Sequence, residues 1–460
     1  MRELLMDAAS RAARYREEVG RRSVVPTPEA LARLALLDEP LPAGPTPPED
    51  VLRLLDEIGS PATVATAGGR FFGFVIGSSL PATLAANWLA GAWDQEGGRE
   101  IAAPISAALE AVCLKWLVEL FGLPARTGAG FVTGATMANF AGLAAARHAL
   151  LQREGWDVEE QGLFGAPPIT VIVGEDVHVS ALKALSMLGL GRGRVVRVGV
   201  DEQGRMRPEL LPALHGPTII CAQVGHVATG ASDPVAEICA RARPAGAWVH
   251  VDGAFGLWAA AAPRRAYLTR GLAEADSWGT DAHKWLNVPY DSGLIFVRES
   301  RHLRAAMSVS AAYLTESERR QPDDYTPEMS RRARAVEVWA ALRSLGRAGL
   351  AEMIERSCQQ AAFFAEGLRR AGYPVHNEVV LNQTLVSFGS DETTRRVIAG
   401  VQQEGTCWCG GTVFHGRAAM RISVSSWATT QDDCERSLEA ILRIAAQADR
   451  PAPAGMSGKE

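Results

Sequence analysis

Between Gly122 and Arg298, short runs rich in Val and Ile alternate with stretches of helical spacing, and that order leaves few folds open. The runs are ITVIVG (Ile169 to Gly174), RVVRVGV (Arg194 to Val200), TIICAQVG (Thr218 to Gly225), AWVHVDG (Ala247 to Gly253) and SGLIFVR (Ser292 to Arg298). Such continuous apolar runs flanked by Gly or Asp are those of strands covered on both faces. Strand, helix and strand in repeated order predict an α/β domain with a mostly parallel, doubly wound sheet. Its ligand site is expected at the carboxyl ends of the strands.

The flanks read differently. Thr27-Pro28-Glu29 and Thr46-Pro47-Pro48-Glu49 each set a Thr and Pro before an acidic first turn, which predicts short helices over Pro28 to Leu37 and Pro48 to Ile58. They form an expected N-terminal helical arm, 1–65, packed on the main body or on a second subunit. The large domain is expected over 66–345. A smaller C-terminal α+β domain follows over 346–450, with strands LVSFGS and AMRISVSS and a last helix DDCERSLEAILRIAAQ, and 451–460 is a loose tail.

Charge and cysteine usage narrow the partners. Forty-seven Lys and Arg against 52 Asp and Glu give a net charge of -5, with no basic excess for phosphate backbones, so no nucleic-acid partner is expected. Seven cysteines in 460 residues are too sparse and odd for a disulfide-stapled secreted chain, and the charged N-terminus lacks an apolar export segment. A cytoplasmic location is expected. Cys407 and Cys409 have one residue between them, where common zinc sites use two or more, so no metal is expected. The uncharged run from Phe71 to Trp93 is long enough for a bilayer but carries Gly73, Gly77, Ser78, Ser79, Pro81, Asn87 and Gly91. It reads as an interior or interface segment, not a membrane span.

Four clusters could carry chemistry. Trp278-Gly-Thr-Asp-Ala-His-Lys-Trp285 sets Lys284 in apolar surroundings, either as a snorkelling surface lysine or as an amine desolvated to form a Schiff base with a carbonyl. Asp252 closes a hydrophobic strand in His250-Val-Asp-Gly-Ala-Phe-Gly256, where a buried acid needs a cationic partner. Gly128 to Asn139 is a small-residue loop opening into a helix, an anion site by its backbone N–H groups. His178 follows the ITVIVG strand directly.

Together these clusters resemble the group II pyridoxal-phosphate-dependent amino acid decarboxylases, the aromatic amino acid and glutamate decarboxylase-like family, from about Phe71 to Trp427. HVDGAFG and DAHKW are the most specific part. The resemblance implies the aminotransferase-like fold, a homodimer with its active site at the subunit interface, and pyridoxal 5'-phosphate as cofactor. It also implies that Lys284 forms the internal aldimine, Asp252 pairs with the ring nitrogen, His178 stacks on the ring and Ala254 touches the opposite face. Ala135, Thr136 and His283 would hold the phosphate. A mobile-loop Tyr would return a proton after carbon dioxide leaves; Tyr325 is the candidate and Tyr313 its rival. Phe74 lies in the segment that walls the substrate pocket of relatives, and Arg421 sits where related folds bind a substrate carboxylate, unless it is a structural strand Arg. Two positions depart from the family pattern. The threonine-rich turn reads Gly225-His226-Val227-Ala228-Thr229, and the Asn often found before the active lysine is Asp281, awkward beside a phosphate unless it points away or pairs with another group.

The reaction expected is decarboxylation of an L-amino acid, a small-molecule substrate, to its amine. Transamination, C–C lyase chemistry and aldehyde-forming decarboxylation are alternatives on the same cofactor. A non-catalytic scaffold has little use for a buried Lys and Asp in one site.

Overall fold

A computed structural model of the chain describes residues 1–309 and 319–448. Its described residues divide into two compact units, one of 79–309, 319–359 and 377–383 and one of 1–78, 360–376 and 384–448.

In chain order the strands are β1 (Phe71–Phe72), β2 (Gly128–Val132), β3 (Thr170–Gly174), β4 (Val196–Val198), β5 (Thr218–Gln223), β6 (Trp248–Asp252), β7 (Ser277–Asp281), β8 (Gly293–Val297), β9 (Gln383–Val386), β10 (Trp408–Phe414) and β11 (Arg417–Ser423). The larger unit holds a seven-stranded sheet of order β2-β8-β7-β6-β5-β3-β4. Only β8 runs against its neighbours. Strands β2, β5, β6, β7 and β8 are buried at every position, as expected for a sheet covered on both faces.

Two strands escape the Val/Ile pattern. GAGFV of β2 and SWGTD of β7 read from sequence as a glycine loop and a polar cluster, yet both pair along their whole length with β8. Their small residues answer to packing. A Cβ on Gly279 would come within 3.1 Å of Ala138, and one on Gly142 within 2.8 Å of the His250 ring. Helix α1 (Ala135–Arg153), rich in Ala, thus lies close on β6, β7 and β8. A second helix, α2 (Val179–Met187), follows β3.

The smaller unit has a four-stranded sheet of order β1-β10-β11-β9. The segment expected as a separate arm, 1–65, belongs to this same unit. Val24 N–H donates to the Gly405 carbonyl at 2.8 Å, β1 pairs in parallel with β10, and the buried Arg70 guanidinium donates to the carbonyls of Gly20, Arg22 and Thr406. The two units part at 359 along this stretch of the chain. The run Phe71 to Trp93 forms β1 and, separately, a helix over Pro81–Trp93, and no helix among the described residues is long and apolar enough to cross a membrane.

Candidate active site

Strands β2, β3, β6 and β7 point their carboxyl ends to one edge of the sheet, and the loops leaving them carry the chemistry. Strand β7 ends at Asp281, whose backbone N–H donates to Ala254 O at 2.9 Å while its carbonyl accepts from Trp258 Nε1 at 2.9 Å. The turn after it brings Lys284 Nζ to 2.9 Å from Asp281 Oδ2. The other oxygen, Oδ1, accepts the Ala135 N–H at the start of α1, at 2.6 Å. Asp281 therefore does not point away; it ties the lysine to the helix start.

Glycine makes this crossing fit. A Cβ on Gly293 would meet the Gly134 backbone at 2.5 Å, and one on Gly134 would sit 3.2 Å from His283 and 3.3 Å from Asp281. His283 Nδ1 accepts the Ser292 N–H at 3.1 Å, which leaves Nε2 to carry the proton toward Asp281 Oδ1, 3.6 Å away. Burial pulls the His283 imidazole below its ordinary value, so it is neutral at pH 7. Thr136, half-buried, is the next residue of the helix start.

One strand over, Asp252 is held differently. Its Oδ2 accepts Asn139 Nδ2 at 2.8 Å and Ser180 Oγ at 3.4 Å, and its Oδ1 accepts the Ala254 N–H at 3.1 Å. Ser180 also lies 2.7 Å from His178 Nδ1, linking the His after β3 to the Asp after β6. His178 is the N-cap residue of α2, and Gln223 Oε1 accepts its backbone N–H at 3.2 Å.

Behind Asp252 runs a buried chain of hydrogen bonds that sequence reading missed. Trp248 Nε1 can only donate, and does so to Ser277 Oγ at 2.8 Å. The Ser277 hydroxyl proton is then free to go to His250 Nδ1, 2.8 Å away. That fixes the proton of His250 on Nε2, which donates to Asn139 Oδ1 at 3.0 Å and turns the Asn139 amide NH2 toward Asp252. Burial pulls His250 down to about 4, with Asp252 opposing in part, so the ring stays neutral. Two signals could have found the chain: His250 lies two residues before Asp252, on the same strand face, and Asn139 interrupts an Ala-rich helix one turn past Ala135.

The other expected residues stand on other segments of the chain. Tyr325 is not brought to this group. Its ring sits 4.5 Å from the Arg320 guanidinium in a recess with Leu114, Lys115, Gly128 and Ala129, beside the opening residues of β2, whereas the helix start follows the strand's far end. Arg320 holds it there by donating to Ala129 O at 2.6 Å and to Glu110 at 2.9 Å. Tyr313 lies outside the described residues. Phe74 and Arg421 belong to the smaller unit. Phe74, 60 % exposed, stacks on Trp408 at 5.9 Å between centroids. Arg421 lies on β11 opposite Gly410, its guanidinium pulled down to about 10 by burial.

A lysine, a carboxylate held by neutral donors, a His and a helix start with a Thr thus lie at the carboxyl edge of a mostly parallel seven-stranded sheet, the arrangement that the resemblance to pyridoxal-phosphate enzymes implies. Comparison with known proteins gives the narrower class. Residues 28–389 match the model of the pyridoxal-dependent decarboxylase conserved domain. The chain is 27% identical over 406 residues to tryptophan decarboxylase 1 of Oryza sativa subsp. japonica, covering 80% of this chain and 78% of the relative. It is also 27% identical over 355 residues to the acidic amino acid decarboxylase GADL1 of Bos taurus, covering 70% and 67%. The solved structure of Oryza sativa TDC with PLP and tryptamine superposes with a TM-score of 0.90 at 23% identity, covering 97% of each chain. The chain belongs to the pyridoxal-dependent decarboxylase family, and it is a pyridoxal-phosphate-dependent carboxy-lyase.

Proposed function

We propose that the protein decarboxylates an L-amino acid to the corresponding amine and carbon dioxide, with Lys284 as the residue that carries the cofactor. The observation that supports it most is the pair of walls around one strand edge, Lys284 on the loop after β7 and Asp252 at the end of β6, joined through Ala254. The residues fit pyridoxal phosphate. The α1 start and Thr136 suit a phosphate, Asp252 suits a protonated ring nitrogen, and His178 lies one serine away from Asp252.

When bound, the cofactor supplies the electron sink that accepts the pair released as the bond between Cα and the carboxylate breaks. The chain's part is to keep that sink effective. Three donors hold Asp252 as an acceptor-only carboxylate, so it retains a proton on a ring nitrogen placed against it. Lys284 supplies the amine, His178 would lie against the ring, and Ala135, Thr136 and His283 would face the phosphate.

The test is to incubate the cofactor-loaded protein with a panel of L-amino acids, aromatic and acidic among them, and to follow carbon dioxide, amine, aldehyde, keto acid and ammonia together. Carbon dioxide with an equal amount of amine is the expected result, lost on Lys284→Ala by on the order of a thousandfold or more. Keto acid without carbon dioxide would overturn it in favour of transamination.

A further inference from the structure

We infer that Asp281 is a positioning residue that occupies the phosphate's place at the start of α1 in the cofactor-free protein, and so sets a lower affinity for the phosphate group than the same cradle would have with a neutral side chain. This rests on the reading of Lys284 as the cofactor's residue and adds to it.

Three features carry the inference. First, the Asp281 carboxylate is the group that accepts the Ala135 N–H, at 2.6 Å, the first donor a phosphate would find at the helix start. Second, it brings its own cation, Lys284 Nζ at 2.9 Å, so the pair is complete before any ligand arrives. Third, it has little freedom to leave. Asp281 is 2 % exposed and ends a strand paired to Gly293, and its backbone is tied at both N–H and carbonyl. Gly134 packs over Oδ1, and His283 Nε2 faces it at 3.6 Å.

A buried carboxylate and a phosphate dianion at one helix start repel strongly, because little water screens them. Either the phosphate gives up the Ala135 donor and sits further along the helix start, or Asp281 must yield it. Both lower affinity. An Asn at 281 keeps the size and the carbonyl acceptor for Ala135 while removing the negative charge, which relieves the conflict. Asp281 thus acts on the cofactor's phosphate end without touching its reactive ring.

The test uses the full-length cofactor-free protein and its Asp281→Asn variant, titrated with 4'-deoxypyridoxine 5'-phosphate. That compound keeps ring and phosphate but has no aldehyde, so it reads the anion site apart from attachment to Lys284. The variant is expected to bind it on the order of tenfold tighter or more, with 4-deoxypyridoxine, which lacks the phosphate, unchanged within about twofold. Equal affinity of both proteins for the phosphorylated compound overturns the inference and leaves the proposed function standing. Equal tightening for both compounds also overturns it, because the effect is then one of pocket shape. If the wild type binds neither that compound nor pyridoxal phosphate, the cofactor reading fails and the inference with it. Asp281→Ser, neutral and smaller, carries the same expectation should the Asn variant not fold.

Discussion

Asp252 and Asp281 close neighbouring parallel strands, both nearly inaccessible to water, yet the chain treats their charges in opposite ways. Asp252 is surrounded by neutral donors, the Asn139 amide, the Ser180 hydroxyl and the Ala254 N–H, with no cation of the described residues among its hydrogen-bond partners. Asp281 has Lys284. A buried carboxylate held by dipoles alone is stabilised as an acceptor but keeps an attractive field for a cation from outside, whereas one already paired does not. The two aspartates thus differ in what they can still accept: one is open to a cation from a ligand, as its proposed role requires, and the other already holds the chain's own amine.

Substitutions that exchange these conditions break or sharpen the contrast. The largest expected effect is at Asp252. In its proposed role Asp252 would keep the ring nitrogen protonated; Asp252→Asn removes that charge, and kcat is expected to fall on the order of a hundredfold or more while the cofactor's visible absorbance persists. A loss under about threefold would show that Asp252 is no more important to the chemistry than a structural acid.

A smaller effect comes from the chain behind it. His250 is neutral in the folded protein with its pKa at about 4, against about 6.5 when unfolded. The unfolded state therefore takes up this proton first, and stability falls as pH drops from about 6.5 to about 4, by about 1.4 kcal/mol per pH unit. His302, also pulled to about 4 by burial, adds a slope of the same sign, and Asp233, pushed up to about 6 by burial, adds one of opposite sign. His250→Gln keeps a donor for Asn139 and removes only the titration. Urea unfolding at a series of pH values should show the variant's acid slope reduced by about that amount. Parallel slopes in the two proteins would count against a buried neutral His250.

The smallest effect is expected at Tyr325. Because its ring lies against Arg320 at the opening end of β2, Tyr325→Phe should leave kcat within about twofold. A drop of a hundredfold would bring this hydroxyl into the reaction, in its own subunit's site or in the partner's.

Sequence showed most where chemistry sits on consecutive residues and where a strand needs branched side chains. HVDGAFG and DAHKW could be read because each holds its functional group and its strand end within a few positions. ITVIVG and TIICAQVG announced themselves by composition. GAGFV and SWGTD did not, because close approach of neighbouring segments selects small residues there: a Cβ on Gly128 would fall 2.5 Å from Ser300. The hydrogen-bonded chain through Ser277, His250 and Asn139 joins β7, β6 and α1, residues far apart in sequence whose meeting depends on strand order. Tyr325 shows the converse. Proline, charge and an aromatic marked a loop next to the sheet, but nothing in the loop's own sequence says which end of β2 it will reach.

The two residues of β1 have a consequence out of proportion to their number. They form the outermost strand of the smaller sheet, and a chain begun after residue 78 would lose them together with Arg70 and its partner carbonyls at Gly20 and Arg22. Strand β10 would then lose its partner at Trp408 and Cys409 and present unsatisfied backbone there, an edge to which another copy could add itself. Shortening the protein from its N-terminus is therefore an aggregation risk before it is a loss of catalysis, and the opening residues serve as the selvedge of a sheet woven from the other end of the chain.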